Sequence, residues 1–487
     1  MSEIRNIEPK SLWSYFDEIC KIPRASKKET KIIEFLLNWA KQNNIEAKKD
    51  EVGNILMKKP ATAGMGNRKS IILQSHIDMV CEKNSDSNHN FDIDPIIPYI
   101  DGDWVKAKGT TLGADDGIGV AAQMDILTSK NIKHGPIECL FTVDEETGLT
   151  GAFALKPNFF ESEILLNLDS EDDGEIFIGC AGGIDTVAET KFTKEQVPAN
   201  HSYYKLEIKG LKGGHSGDEI DKGHANSNKI LNRFLHYGSH NFGIRLTEFN
   251  GGNLRNAIPR EAFSLFSVPN ENILKFTDFF NQLKKSIENE FIFVEQNINI
   301  SLTKFDFLDF VIDEKTQNNL LNSIYACPHG VISMSAGMKG MVSTSTNLAS
   351  VKFKSGNKIE ITTSQRSDSE SMKTDIATMV KSVFELSGFA VKQGDGYPGW
   401  TPNPNSEILV IGANSYKKLF NVEPVVRSIH AGLECGLFLE KYPKLDMISF
   451  GPTLRNVHSP DEKVLIPTVE KFRNHLIDIL ENAPLEN

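Results

Sequence analysis

From Leu140 to Gly148 the chain reads L-F-T-V-D-E-E-T-G, an apolar, branched run that delivers Asp144, Glu145 and Glu146 at its end. Neighbouring side chains at a strand end point to opposite sides, so Glu145 and Glu146 cannot easily do the same job. If one carboxylate binds a metal while the other faces a water on that metal, adjacent positions supply a ligand and a general base. Taken alone, such a pair is as readily a solvated exit from a strand. Four other places raise the same question. His76 and Asp78 close the run S-I-I-L-Q-S-H-I-D-M, where Asp78 can hydrogen-bond the His76 ring nitrogen that faces away from a metal and so fix its tautomer. Asp115 and Asp116 stand in G-A-D-D-G, Asp169 closes L-N-L-D, and His458 lies in R-N-V-H-S-P after a strand that stops on Gly and Pro.

His76, Asp115, Glu146, Asp169 and His458 can be collected as ligands. Imidazole and carboxylate together suit zinc, cobalt or manganese, and a set without cysteine points to a catalytic site over a structural one. Two histidines and three carboxylates satisfy two metals if one carboxylate bridges, and Asp115, in its tight turn, is the natural bridge. Paired metals about 3.5 to 4 Å apart activate a water and polarise a carbonyl. Each motif has a plain reading by itself: a surface H-x-D, a calcium loop or simple turn, an acidic loop. Their recurrence at successive strand ends is what favours a metal centre.

The elements that must position these residues follow from hydrophobic patterning. Ser70 to Met79, Pro136 to Val143 and Ile164 to Leu168 read as buried strands, each with acid or imidazole at its carboxyl end. Gly109 to Ala122 reads as a glycine-punctuated loop running into a helix that continues to about Ser129. Helices between strands and polar groups at strand ends are how open α/β sheets build sites. Two helical patterns precede them in residues 9 to 44, and a strand pair turns at Gly53-Asn54.

From about Thr186 the chain becomes strand-rich. Strands at Tyr203 to Gly210, Gly243 to Gly251 and Asn256 to Val268, with helices at Asn226 to Tyr237 and Asn270 to Glu290, resemble a ferredoxin-like unit. A similar run covers about 310 to 395, with strands Val342 to Phe353 and Lys358 to Arg366 and a helix from Ser369 to Leu386. The expected fold class is therefore α/β: a discontinuous, mixed-sheet catalytic domain (1–185 and 398–487) interrupted by a doubled α+β domain at 186–397.

Totals narrow the function classes. At 487 residues the chain is long enough for two or three domains. Its net charge, 53 basic against 65 acidic residues or −12, argues against nucleic acid or an anionic membrane as partner. The first ten residues, M-S-E-I-R-N-I-E-P-K, do not read as a secretory signal, and no apolar run approaches the roughly 18 residues that span a bilayer. Cys20, Cys81, Cys139, Cys180, Cys327 and Cys435 are scattered with no C-x-x-C, which suits a reducing cytoplasm.

H-I-D-M, L-G-A-D-D-G-I-G-V-A, F-T-V-D-E-E-T-G, L-N-L-D, G-G-H-S-G and R-N-V-H-S-P occur in this order along essentially the whole chain. The set resembles the di-zinc aminoacylase and carboxypeptidase family, and within it the aminoacyl-histidine dipeptidase branch, also called Xaa-His dipeptidase or peptidase D. The resemblance implies two divalent metals, zinc above cobalt or manganese. One would be held by His76, Asp115 and Asp169, the other by Asp115, Glu146 and His458, with Glu145 as base and Asp78 beside His76. It also implies an inserted lid. There His215 in G-G-H-S-G would stabilise the oxyanion, while Asn256 and Arg366 hold the substrate's carboxylate end. His430 and Glu434, in S-I-H-A-G-L-E-C-G, would lie near the substrate amine. Lid domains of the family often meet in homodimers. Asp144 acquires no role beyond capping or loop.

The expected activity is hydrolysis of dipeptides, Xaa-His among them. An N-acyl amino-acid deacylase using the same centre is the alternative, and a binding protein without catalysis the third reading. No residue reads as an imidazole-specific pocket.

Overall fold

The apolar runs that end in acid or imidazole become adjacent parallel strands. In a computed structural model, which describes residues 2–486, Ile71–His76 lies between Ile137–Thr142 and Ile164–Asn167, parallel to both. Asp446–Ser449 pairs in parallel on the far side of Ile164–Asn167. Side chains throughout the first three strands are buried, which is why they read as continuous apolar runs and not as alternating ones. Antiparallel strands extend the sheet at both edges to eight. A separate sheet of four short strands joins Pro98–Asp101 and Trp104–Ala107 to Leu454–Arg455 and Lys463–Leu465. No signal in the sequence announced it.

The helix Ala114–Thr128 is buried along nearly its whole length. Most of its residues, A-D-D-G-I-G-V-A-A-Q-M-D-I-L-T, are small or apolar, so it can lie close to the central strand. Gly119 permits that approach, because a Cβ there would stand 2.5 Å from Ser75 Oγ.

The chain divides into two compact units. Unit 1 comprises the chain up to Cys180, Trp400–Ser428 and the chain from Leu433 on. Unit 2 comprises Ala181–Gly399 and Ile429–Gly432.

Unit 2 is built on a nine-stranded sheet covered by helices. Strands His201–Lys209, Arg245–Gly251, Ala262–Pro269 and Asn299–Phe305 stand in the spatial order fourth, first, third, second, as in a ferredoxin-like unit. Strands Gly182–Lys191, Val342–Lys354, Lys358–Ser367 and Ala390–Gln393 repeat that order. The doubled insert is thus nested: the first strand of the second repeat precedes the whole of the first repeat. The two repeats meet where Gly251 pairs with Val351. Their shared core includes Phe234, Phe249, Phe266, Leu348, Ile361 and Phe384.

Two boundaries differ from the expectation. The strand expected from Asn256 begins at Ala262, because Asn256 to Arg260 forms a loop that contains Pro259, which has no N–H for a ladder. The last helix, which apolar patterning places at Thr468 to Glu481, begins at Ile466, with a proline in its first turn, where a missing N–H costs no helical bond. Among the described residues no helix is long and apolar enough to cross a membrane. All six cysteines are free.

Candidate metal centre

His76, 1% exposed, ends the central strand of unit 1. Its Nε2 lies 3.0 Å from Asp115 Oδ1 and 3.4 Å from Asp169 Oδ1. The other oxygen of Asp115, Oδ2, lies 3.1 Å from His458 Nε2, and that nitrogen lies 3.0 Å from Glu146 Oε2. Two groups that could each hold a cation therefore exist, His76–Asp115–Asp169 and Asp115–Glu146–His458, and they share Asp115 through different oxygens. Asp115 can face both ways because its backbone departs from helical geometry at the start of the helix (φ −80°, ψ 114°). His458 occupies the left-handed region (φ 60°) and keeps 51% of its side chain exposed.

Asp78 supports both sides of this arrangement. Its Oδ1 is 3.4 Å from His76 Nδ1 and accepts the Glu145 N–H at 3.1 Å, while Oδ2 accepts the Glu146 N–H at 3.2 Å and the Ser26 hydroxyl at 2.8 Å. One carboxylate thus faces the outer nitrogen of a candidate ligand and holds the turn that presents Glu145 and Glu146. Asp144 does more than end the strand. It is buried in the left-handed region (φ 52°), accepts the hydroxyls of Thr147 and Thr150, and donates its N–H to Glu29 Oε1 at 3.1 Å.

The electrostatics favour cations. Burial pushes Asp169 up to about 7 and Glu171 up to about 8, with neighbouring carboxylates adding to both shifts. Glu145 is raised well above the carboxylate range by burial, which the His76 charge opposes and Asp169, Glu146 and Glu434 reinforce. Burial would raise Asp115 too, but hydrogen bonds from His458 and His76 hold it well down. Hydrogen bonds to Asp115 and Glu146 in turn raise His458 to about 11. So many buried acids around two imidazoles lack positive charge, and Glu146 Oε1 is a buried oxygen without a hydrogen-bond donor. The residues present fit two divalent cations by donor type, convergence and charge.

Glu434 lies in unit 1, at the start of the helix Cys435–Lys441. Its Oε2 accepts from Gln74 Nε2 at 2.6 Å and Thr142 Oγ1 at 2.7 Å, while its Oε1 is buried without a partner. Burial pushes its carboxyl up to about 8.

A second cluster belongs to unit 2. Arg366, 7% exposed, donates to the Tyr397 hydroxyl at 2.9 Å and leaves a buried Nε without an acceptor. His430 Nε2 meets Ser345 Oγ at 2.8 Å, its Nδ1 is buried without a partner, and burial beside the Arg366 charge lowers the ring to about 4. His215 Nδ1 accepts the Asp218 N–H at 3.2 Å. Gly217 lets the His215 loop abut His430, since a Cβ there would stand 2.3 Å from the His430 carbonyl oxygen. Asn256 joins through its backbone, whose carbonyl accepts the Ser216 N–H at 2.8 Å, and its side chain is exposed. His76, Asp78, Asp115, Glu145, Glu146, Asp169, Glu434 and His458 are thus brought together in one unit, and His215, Arg366 and His430 in the other.

Residues that the sequence did not single out also serve the centre. Arg24, Glu29, Gln74, Thr142 and Glu462 all contact the backbone or side chains around it. Gln74 and Thr142 were foreseeable as polar positions within buried strands; the others touch main-chain atoms far away in sequence.

A carboxylate shared between two ligand groups, beside parallel strand ends that carry further acids and an imidazole, suits metal-assisted hydrolysis, and the family comparison shows a peptidase. The chain belongs to Peptidase family M20/M25/M40, whose model matches residues 72–482. It is 44% identical over 484 residues to the cytosol non-specific dipeptidase of Escherichia coli K12, a match covering 99% of this chain and 100% of that protein. The crystal structure of aminoacylhistidine dipeptidase from Vibrio alginolyticus superposes with a TM-score of 0.92 at 45% identity, covering 100% of this chain and 99% of that one. A tripeptidase from Staphylococcus aureus shares the fold at 15% identity and a TM-score of 0.58 over 98% of this chain.

Proposed function

We propose that the chain is a metal-dependent dipeptidase of broad specificity that accepts Xaa-His substrates. The observation that carries this reading is Asp115 shared between two ligand groups, with Glu145 beside one of them. The names of the two close relatives support the substrate class, one as a non-specific dipeptidase and one as an aminoacylhistidine dipeptidase. His76, Asp115 and Asp169 would hold one cation and Asp115, Glu146 and His458 the other. Zinc suits this donor set, with cobalt or manganese as alternatives. Bound there, the ions would supply Lewis acidity toward the scissile carbonyl and a more acidic water.

The chain's own residues do the rest. Glu145 takes the proton of the attacking water and returns it to the leaving amine; burial raises its pKa above that of an ordinary carboxylate, which makes it the stronger base. Asp78 keeps the His76 ring oriented and holds the Glu145–Glu146 turn through two N–H groups. Glu434 Oε1, buried and without a donor, is suited to the substrate's α-ammonium. By donor type, Arg366 of unit 2 is suited to a substrate carboxylate, Asn256 to a hydrogen bond with such a group and His215 to donation toward an oxyanion. His430, kept neutral by burial, orders that cluster through Ser345.

The cytosol is the expected location, as the name of the E. coli relative states for that protein. We also read unit 2 as the surface that joins two copies, supported by exposed Tyr237, Leu274, Ile292 and Phe293. The test of function compares the metal-loaded protein on dipeptides, including Xaa-His, with N-acetyl amino acids. Faster turnover of dipeptides is expected; turnover of N-acetyl amino acids alone would replace this reading by the deacylase one.

A further inference from the structure

Glu462 is 2% exposed, yet it belongs to none of the candidate ligand groups. Its two carboxylate oxygens accept four consecutive backbone N–H groups. Oε2 takes Leu112 at 2.8 Å and Gly113 at 2.9 Å, and Oε1 takes Ala114 at 2.7 Å and Asp115 at 3.3 Å. Successive amides turned onto one anion form a nest, and here the anion is a side chain of the protein. Gly113 makes the nest possible with its left-handed backbone (φ 69°). A side chain there would also run into Arg24 Nη2, 2.5 Å from the Cβ position.

Arg24, also 2% exposed, grips the same loop from its carbonyl side. Nη2 donates to the Gly113 carbonyl, while Nη1 donates to the carbonyls of Ile77 at 3.1 Å and Asp78 at 2.6 Å. The guanidinium thereby joins the loop before Asp115 to the strand end that carries His76 and Asp78. Glu462 joins that loop to the turn that carries His458, which is closed by Ser459: its hydroxyl donates to the Asn456 carbonyl at 2.7 Å, and its carbonyl accepts the Glu462 N–H at 3.0 Å. The buried carboxylate and the buried guanidinium therefore hold one four-residue loop between them, each tying it to a different histidine ligand.

We propose that Glu462 and Arg24 are positioning residues that set Asp115 as the bridge, Glu462 aligning the loop with the His458 side and Arg24 with the His76 side. The proposal rests on the metal-centre reading above. Neither residue touches substrate or metal; both act through the main chain of Leu112 to Asp115. Glu462→Gln is the sharp variant, because an amide of the same shape turns an NH2 toward two N–H groups and loses half the nest.

The experiment is a zinc titration of the metal-free full chain against a competing chelator, for wild type, Glu462→Gln and Glu462→Asp. Wild type should take up two ions, so a failed ligand assignment shows in wild type while a failed brace shows only in the variants. For Glu462→Gln one ion should bind about tenfold to a hundredfold more weakly, the usual effect of losing an outer partner of a ligand. The other ion should stay within about threefold, and Glu462→Asp should recover part of the loss. Two ions bound by Glu462→Gln with wild-type affinity would overturn the proposal. So would equal weakening of both ions together with a lower melting temperature of the metal-free protein, or failure of both variants to fold without metal, since either makes Glu462 a general folding residue.

Discussion

The two polar clusters are opposite in charge and in how they are held. In unit 1, acids outnumber bases around His76 and His458, and the groups sit on strand ends and turns fixed by further buried partners. In unit 2, Arg366, His215 and His430 bring positive or neutral donors; the buried atoms of this cluster without partners are the nitrogens Arg366 Nε and His430 Nδ1, whereas those of unit 1 include the carboxylate oxygens Glu146 Oε1 and Glu434 Oε1. A donor set that must hold cations at fixed distances gains from rigid main-chain supports. Open acceptors in the first cluster suit cationic groups, and open donors in the second suit a carboxylate or a developing oxyanion. On the proposed reading, the difference between the clusters separates holding cations from holding the substrate's carboxylate end.

Asp115→Ala tests the first half of that contrast most severely. Removing the shared carboxylate should abolish uptake of both ions and dipeptide turnover together, read by metal analysis of the purified protein beside a hydrolysis assay. A variant that still binds two ions would break the bridging assignment. Arg366→Lys should act differently: metal content unchanged, and kcat/KM lowered about tenfold to a hundredfold, as for loss of hydrogen bonds to a charged group. The loss should lie mainly in KM if the contact is equal in ground and transition states.

Acid should weaken both units through buried imidazoles. His475 in unit 1, with Nε2 2.8 Å from the Gly412 carbonyl, and His430 in unit 2 are each lowered by burial to about 4 from an ordinary 6.5. Between these values the unfolded chain binds protons that the folded chain does not. Stability is therefore full above about pH 6.5 and falls as pH drops toward 4, by roughly 3 kcal/mol for each fully buried ring. Urea unfolding of the metal-free protein across this range checks it: His475→Gln should flatten the dependence, and an unchanged slope would assign it elsewhere. The smallest effect is expected at Asp144→Asn, which keeps the shape and one acceptor for Thr147 and Thr150. A severalfold fall in kcat with intact metal content is the expected result, well short of any change at Glu145.

How much of this was legible in the sequence depends on the kind of contact. His76, Asp115, Glu146, Asp169 and His458 could be collected because each ends an apolar run or occupies a tight turn, a local pattern. Glu462 and Arg24 could not, because they bind peptide groups of a loop 347 to 350 and 89 residues away, and a main-chain N–H or carbonyl carries no residue signature. The doubling of unit 2 was readable from element order, but its nesting was not. Gly182–Lys191 alternates like any half-buried strand, and nothing local says that its partner, Lys358–Ser367, comes after an entire inserted repeat. Asn256 to Arg260 carried β-like neighbours on both sides, and the proline between them decided for a loop.

The most direct test of the central claim is turnover by Glu145→Gln with its metal content measured in the same sample. The account predicts two ions per chain, as in wild type, and dipeptide hydrolysis slower by about a hundredfold to ten-thousandfold, the usual worth of a general base. Two bound ions with turnover near that of wild type would contradict it, because the proton would then have another acceptor.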